Sequence, residues 1–149
     1  MLSFTYTAQE NPLTKNKNQM FTIEQIRTTH ARVKSGADFP QYVQDMKKLG
    51  VSSYEHYLTD GHITYHGFNN STLQADPKWP QRSISDKVSK DQLIEFIRQH
   101  QAGHSDYPTI CVQVASAGIE KWIVDLVKMT CTYYDKNGHE VLVEEIPEP

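Results

Sequence analysis

The feature that most constrains this chain is that it reads as two similar units. The stretch "GADFPQYVQDMKKLGVSSYEHYL" (36–58) parallels "GHSDYPTICVQVASAGIEKWIVDL" (103–126). From Asp38 onto Asp106 the offset is 68 residues, and it carries Pro40 onto Pro108, Gly50 onto Gly118, Leu58 onto Leu126 and Tyr65 onto Tyr133. Upstream, one inserted residue brings Gly36 onto Gly103 and Thr22 onto Ser89. An internal repeat governs every later assignment, so it is read first. Each unit, about 22–75 and 89–146, reads helix, helix, strand, strand, strand.

The punctuation supports that reading. Thr22 and Ser89 are N-cap residues, with Ile23, Ile26 and Val33 or Leu93, Ile94, Phe96 and Ile97 facing inward. Gly36 is expected to end the first helix, and Asp38 and Asp106 to cap the next helices, with proline tolerated in the first turn. Gly50 and Gly118 stop those helices. The apolar period then switches to two. Asp60-Gly61 signals a two-residue hairpin of the I′ kind, which would set Leu58 against Ile63, His56 against Tyr65 and Glu55 against His66. One side would carry Tyr54, His56, Leu58, Ile63 and Tyr65; the other Glu55, Tyr57, Thr59, His62, Thr64 and His66. The second unit places Trp122, Val124, Leu126, Cys131 and Tyr133 on the first side, which is a core face. Asn137-Gly138 turns into a third strand, "HEVLVEEI", with "STLQA" as its shorter counterpart.

The expected fold is therefore α+β: one antiparallel sheet, merged to six strands, with helices on one face. Residues 1–19, polar and aperiodic, are expected to be a flexible leader, and 20–149 one domain. The linker "DPKWPQRSISDKV" (76–88) joins the units, and its Trp79 is placed to seal an end of the core.

The runs "MFTIEQI", "SGADFPQYVQDMKKLGV", "YLTDGHITYHG", "GIEKWIVDL" and "MTCTYYDKNGHEVLVEEIP" together resemble a family of small bacterial proteins of unknown function, whose members are often labelled phage envelope protein. The resemblance covers about residues 20–147. It implies an intracellular bacterial protein of α+β fold, and implies no activity, substrate, cofactor or catalytic residue.

Composition removes several classes of function. A net charge of −3 with no Lys/Arg cluster gives no electrostatic footprint for nucleic acid. RNP-type and P-loop patterns are absent, and no apolar run approaches the ~20 residues of a membrane span. The N-terminus lacks a signal-peptide pattern, and Cys111 and Cys131 are too few for a disulfide framework, so the expectation is cytoplasmic.

The candidate sites centre on "YEHYLTDGHITYHG" (54–67). On a strand, His62 and His66 would lie roughly 13 Å apart, too far to share one metal. No metal site and no cofactor are expected. Glu55 and His66, as cross-strand neighbours, could form a carboxylate–imidazole dyad or simply a solvated polar pair. Without a nucleophile or pocket no enzymatic mechanism follows. His56 sits at a core-facing position where the second unit has Val124. It is read either as a satisfied core histidine with Tyr65 or Tyr54 as partner, or as the wall of a small-molecule pocket between sheet and helices with those tyrosines. Cys111 and Cys131 match Val43 and Ile63, and read as small buried hydrophobes. His30 and His139 are expected to be exposed, and His100 and His104 to flank a helix end.

Tyr57 and Tyr134 lie on the second sheet face with Ile123, Val127, Val141 and Val143. An apolar sheet face free of helices marks a partner surface. The leading expectation is self-association of a non-enzymatic protein through that face, as a homodimer; cover by the chain's own leader or linker is the other reading.

Overall fold

The structure is a computed structural model and describes residues 4–5 and 21–149. The expected leader falls outside the described residues except for Phe4–Thr5, which form strand β1.

Helix α1 (Ile23–His30) opens on Thr22, whose side chain accepts from the Gln25 N–H while Gln25 returns the bond in a capping box. A short 3-10 turn, Gly36–Asp38, leads into α2 (Phe39–Leu49), and Gly50 closes α2 at φ 103°. Strands β2 (Val51–Tyr57), β3 (Ile63–Gly67) and β4 (Thr72–Ala75) follow. The second half repeats the order with α3 (Lys90–Gln101), capped by Ser89, and α4 (Tyr107–Ser116), capped by Asp106. Strands β5 (Ile119–Asp125), β6 (Thr130–Asp135) and β7 (Glu140–Glu145) complete it.

The expected six antiparallel strands form one sheet, extended at one edge by the two-residue β1, in the order β1-β4-β3-β2-β5-β6-β7. The halves meet where β2 pairs with β5. The pairing is centred on Glu55 opposite Ile123, two positions that are themselves 68 apart. Other details recur at the same offset. The ladder is irregular between Val51 and Ser53 and again between Ile119 and Lys121. Leu58 N–H donates to the Glu120 carbonyl at 2.8 Å, and Leu126 N–H donates to the Ser52 carbonyl at 2.9 Å. Asn70 takes the left-handed conformation at φ 66°, where the second half has Gly138 at 81°.

Three local expectations are corrected. First, Asp60-Gly61 is not a two-residue turn. The hairpin closes at Tyr57 and His62, so Glu55 faces Thr64, His56 faces Ile63 and Tyr54 faces Tyr65. The Leu58 N–H goes to β5 instead of β3, and the loop is pinned by Lys78 and Trp79 N–H groups on the Asp60 carbonyl. A shift of two residues keeps each side chain on its expected face. Second, Gly36 does not end α1, which stops at His30; Gly36 opens the 3-10 turn, and a Cβ there would collide with the His100 carbonyl. Third, Asp38 does not cap α2 with its side chain. It turns back to accept from the Lys34 and Ser35 N–H groups, whereas Asp106 caps α4 through the Thr109 N–H at 2.8 Å.

The core lies between the helices and one sheet face. Tyr65 and Val124 from the sheet, with Leu58 and Leu126 just past the ends of β2 and β5, meet Ile26, Val43, Leu93 and Val114 from the helices, all fully buried. Each such aliphatic side chain contributes about 1.5–3 kcal/mol of burial. Among the described residues no helix is long and apolar enough to cross a membrane.

Candidate functional site

Packing between sheet and helices leaves space beside His56 and Tyr107. A cavity of about 190 Å³ opens there. At roughly 30 Å³ per water, that is space for several waters or one small organic molecule. Its walls come from both halves at matched positions: Phe39 with Tyr107, Tyr42 with Ile110, Tyr54 with Trp122, Ile63 with Cys131. The cavity therefore straddles the seam at which β2 and β5 pair.

His56 on β2 lines it and is 2 % exposed. Strand alternation dictates its inward direction, and the pairing with Trp122 on β5 stacks the two rings at 4.2 Å between centroids. Its Nε2 meets the hydroxyl of Tyr107, at the start of α4. Its Nδ1 is buried with no partner from any other described residue. Burial, reinforced by the nearby Lys78 ammonium, pushes the His56 pKa well below the ordinary imidazole range, so the ring is neutral at pH 7.

His30, expected on the surface, is instead half-buried against the cavity. It is the last residue of α1, and its ring meets Tyr42 and Tyr107 edge-on at 5.9 and 6.2 Å. Among the described residues its Nδ1 also has no hydrogen-bond partner, and burial, then Lys78, lowers its pKa. His100 lines a further wall, with Nδ1 3.0 Å from both the carbonyl and the hydroxyl of Ser105. Glu144 on β7 also reaches the cavity. It accepts from the Tyr133 hydroxyl at 3.1 Å, and burial raises its pKa.

Behind Tyr107 stands Lys78, its Nζ 5.7 Å from the ring centroid and donating to the Gly61 carbonyl at 2.9 Å. Burial brings its pKa down to about 8. Trp79 packs, partly buried, against the core: its indole N–H donates to the Leu58 carbonyl, and Arg82 covers its ring at 4.3 Å.

The remaining candidates separate. Tyr54 lines the cavity; Tyr65 is fully buried against Tyr54 but behind the wall. Neither of the expected partners, Tyr54 or Tyr65, bonds the His56 ring. Tyr107, 51 residues away, does. The available signal was the match of Tyr107 with Phe39, which leaves one hydroxyl without a counterpart beside a histidine that also lacks one. Glu55 and His66 do not form a dyad, because the register puts His66 opposite Ser53; Glu55 accepts instead from the Tyr57 hydroxyl at 2.9 Å. His62 is held by Asp60 at 2.6 Å and stacks on Tyr57. Cys111 and Cys131 are buried thiols whose pKa values burial pushes up to about 12, which keeps both protonated. Among the described residues no three His, Cys, Asp or Glu side chains are grouped to hold a metal.

The helix-free face is less apolar than its sequence implies. Lys121 extends between Tyr57 and Tyr134, its Nζ 5.4 and 5.6 Å from the two ring centroids. Val143 is the large apolar side chain left over half exposed on β7.

A comparison with curated proteins finds no match. A family model does match, over residues 27–145, which takes in both halves and every cavity residue named above. The chain belongs to the family described as protein of unknown function DUF1398.

Proposed function

We propose that the chain is a bacterial, cytoplasmic small-molecule-binding protein that takes its ligand in the cavity between sheet and helices. One observation carries this reading: a buried imidazole whose Nδ1 no other described residue bonds lines a cavity of about 190 Å³. A buried polar group without a partner costs about 1–3 kcal/mol, and a ligand that supplies the partner recovers it. Aromatic walls with a few convergent polar groups are the ordinary make-up of ligand sites. Among the described residues the site brings no nucleophile beside a base, so binding is favoured over catalysis.

The test is thermal unfolding of the full chain against a panel of small aromatic compounds. A binder at 100 times its Kd raises stability by about 2.7 kcal/mol. The reading expects such a compound, with its effect lost in Ile110→Phe, which fills the cavity. A panel that leaves the transition unmoved contradicts it.

The exposure of Val143 and Val127 favours a second reading, self-association through the helix-free face. Light scattering at rising concentration tests it; a mass fixed at 17.1 kDa contradicts it.

A further inference from the structure

If the cavity takes a ligand, as proposed above, one charged group in its wall restricts which ligand. Core-facing residues pair in register across the sheet: Tyr54 with Val124, Val124 with Cys131, and Cys131 with Glu144 on the edge strand β7. In the first half the corresponding pair is Ile63 with Ala75, and Ala75 is fully buried. Glu144 therefore puts a carboxylate on the core side, at a place that a methyl group fills in the other half. It is partly buried and lines the cavity.

That carboxylate has a hydrogen bond but no counter-charge. The Tyr133 hydroxyl donates to it at 3.1 Å, and among the described residues it forms no ion pair. Burial raises its pKa, against the Tyr133 hydroxyl and the Gln101 side chain, which favour the charged form. A carboxylate has about four acceptor sites, so it can take a further donor. A cation beside it would offset the cost of its burial.

The other charges gather at the opposite end of the cavity. Neighbouring strands lie about 4.8 Å apart, so Tyr54 on β2 and Glu144 on β7, separated by β5 and β6, stand roughly 14 Å from each other. The β2 end holds His56, Tyr107 and, behind Tyr107, the Lys78 ammonium. Burial lowers the pKa values of His30, His56 and His100, so none of the three carries a charge that opposes a cation at pH 7. Lys34 also lines the cavity, but its side chain is exposed and its charge is screened by solvent. A bound cation is therefore turned away from the β2 end and drawn to the β7 end. Between the two ends the wall is aromatic, with the Trp122 and Tyr133 rings 6.0 Å apart.

We infer that the cavity takes small aromatic amines, with the ammonium group on the Glu144 carboxylate and the ring against Trp122 and Tyr54.

Three probes of similar size separate this inference from the general one. At pH 7, 2-phenylethylamine is a cation, 2-phenylethanol is neutral and 3-phenylpropionate is an anion. Affinities are measured by ligand-observed NMR on the full chain and on Glu144→Gln, which keeps the side-chain shape and an acceptor for Tyr133. The amine is expected to bind about tenfold more tightly than the alcohol, and the acid most weakly. Glu144→Gln should weaken the amine about tenfold and change the alcohol less than about threefold. Equal affinity for amine and alcohol, tightest binding of the acid, or an amine preference that survives Glu144→Gln overturns the inference and leaves cavity binding intact. Failure of all three probes to bind the unaltered protein overturns cavity binding and this inference together. The order of the three probes on the unaltered protein decides the question even if Glu144→Gln does not fold.

Discussion

The two halves have the same elements in the same order, yet they treat matched positions differently. Leu58 and Leu126 are both fully buried, and each sends its N–H across the seam to the other half. His56 and Tyr107 have Val124 and Phe39 as their counterparts. The two polar side chains meet each other, and their two apolar counterparts contain no group that could make such a bond. The same holds for His30, which matches Ile97. Matched apolar positions therefore build much of the core, and positions where the match fails supply His30, His56 and Tyr107 to the cavity. A polar residue at one member of a matched pair has no packing reason that its partner does not share, which is why asymmetry points to the site.

The symmetric part is tested most severely at the seam. Leu58→Ala and Leu126→Ala should each destabilise by about 2–5 kcal/mol in urea unfolding, with similar losses. A loss in one alone would mean that the seam is supported from one side only.

The asymmetric part is tested by converting the first half to the pattern of the second. His56→Val alone should cost about 1–3 kcal/mol, because it deprives the Tyr107 hydroxyl of its hydrogen-bond partner. The double change His56→Val with Tyr107→Phe should recover most of that loss, since both polar groups are then gone. A His56→Val protein as stable as the original would show that the contact contributes nothing to folding.

Acidification gives a smaller, graded effect. His56 stays neutral in the folded protein well below the pH at which it takes up a proton when unfolded. Below about pH 6.5 the unfolded chain therefore binds the extra proton, and stability falls as the pH is lowered. The slope for His56 is up to about 1.4 kcal/mol per pH unit, and His56→Val should remove that contribution. Urea midpoints measured between pH 7.5 and 5 check it. The smallest effect belongs to the outer face: Val143→Lys should change stability by less than about 0.5 kcal/mol. It should also abolish any self-association seen by light scattering if that face carries it.

Much of the fold was legible because helix caps, glycine stops and alternating strands are local signals, here stated twice. Thr22, Ser89, Asp106, Gly50 and Gly118 all act as their positions imply. The hairpin register was not legible, because the Asp60 loop is held by Lys78 and Trp79, residues distant along the chain. Asp38 misled because a nearer set of N–H groups, at Lys34 and Ser35, competes for its carboxylate. His56 was legible as an asymmetric core position. Its partner was not, since Tyr107 reaches it only after α4 packs over the sheet. His30 was misplaced for a similar reason: α1 ends with His30 turned toward Tyr42 and Tyr107.

The most direct test of the whole account is a ¹H–¹⁵N titration of the full chain with the small aromatic compounds of the thermal-unfolding panel. The account predicts saturable shifts that cluster at His30, His56, Tyr107 and Trp122 and disappear in Ile110→Phe. Saturable shifts centred on Tyr57, Tyr134 and Val143, or no saturable shift at millimolar ligand, would contradict it.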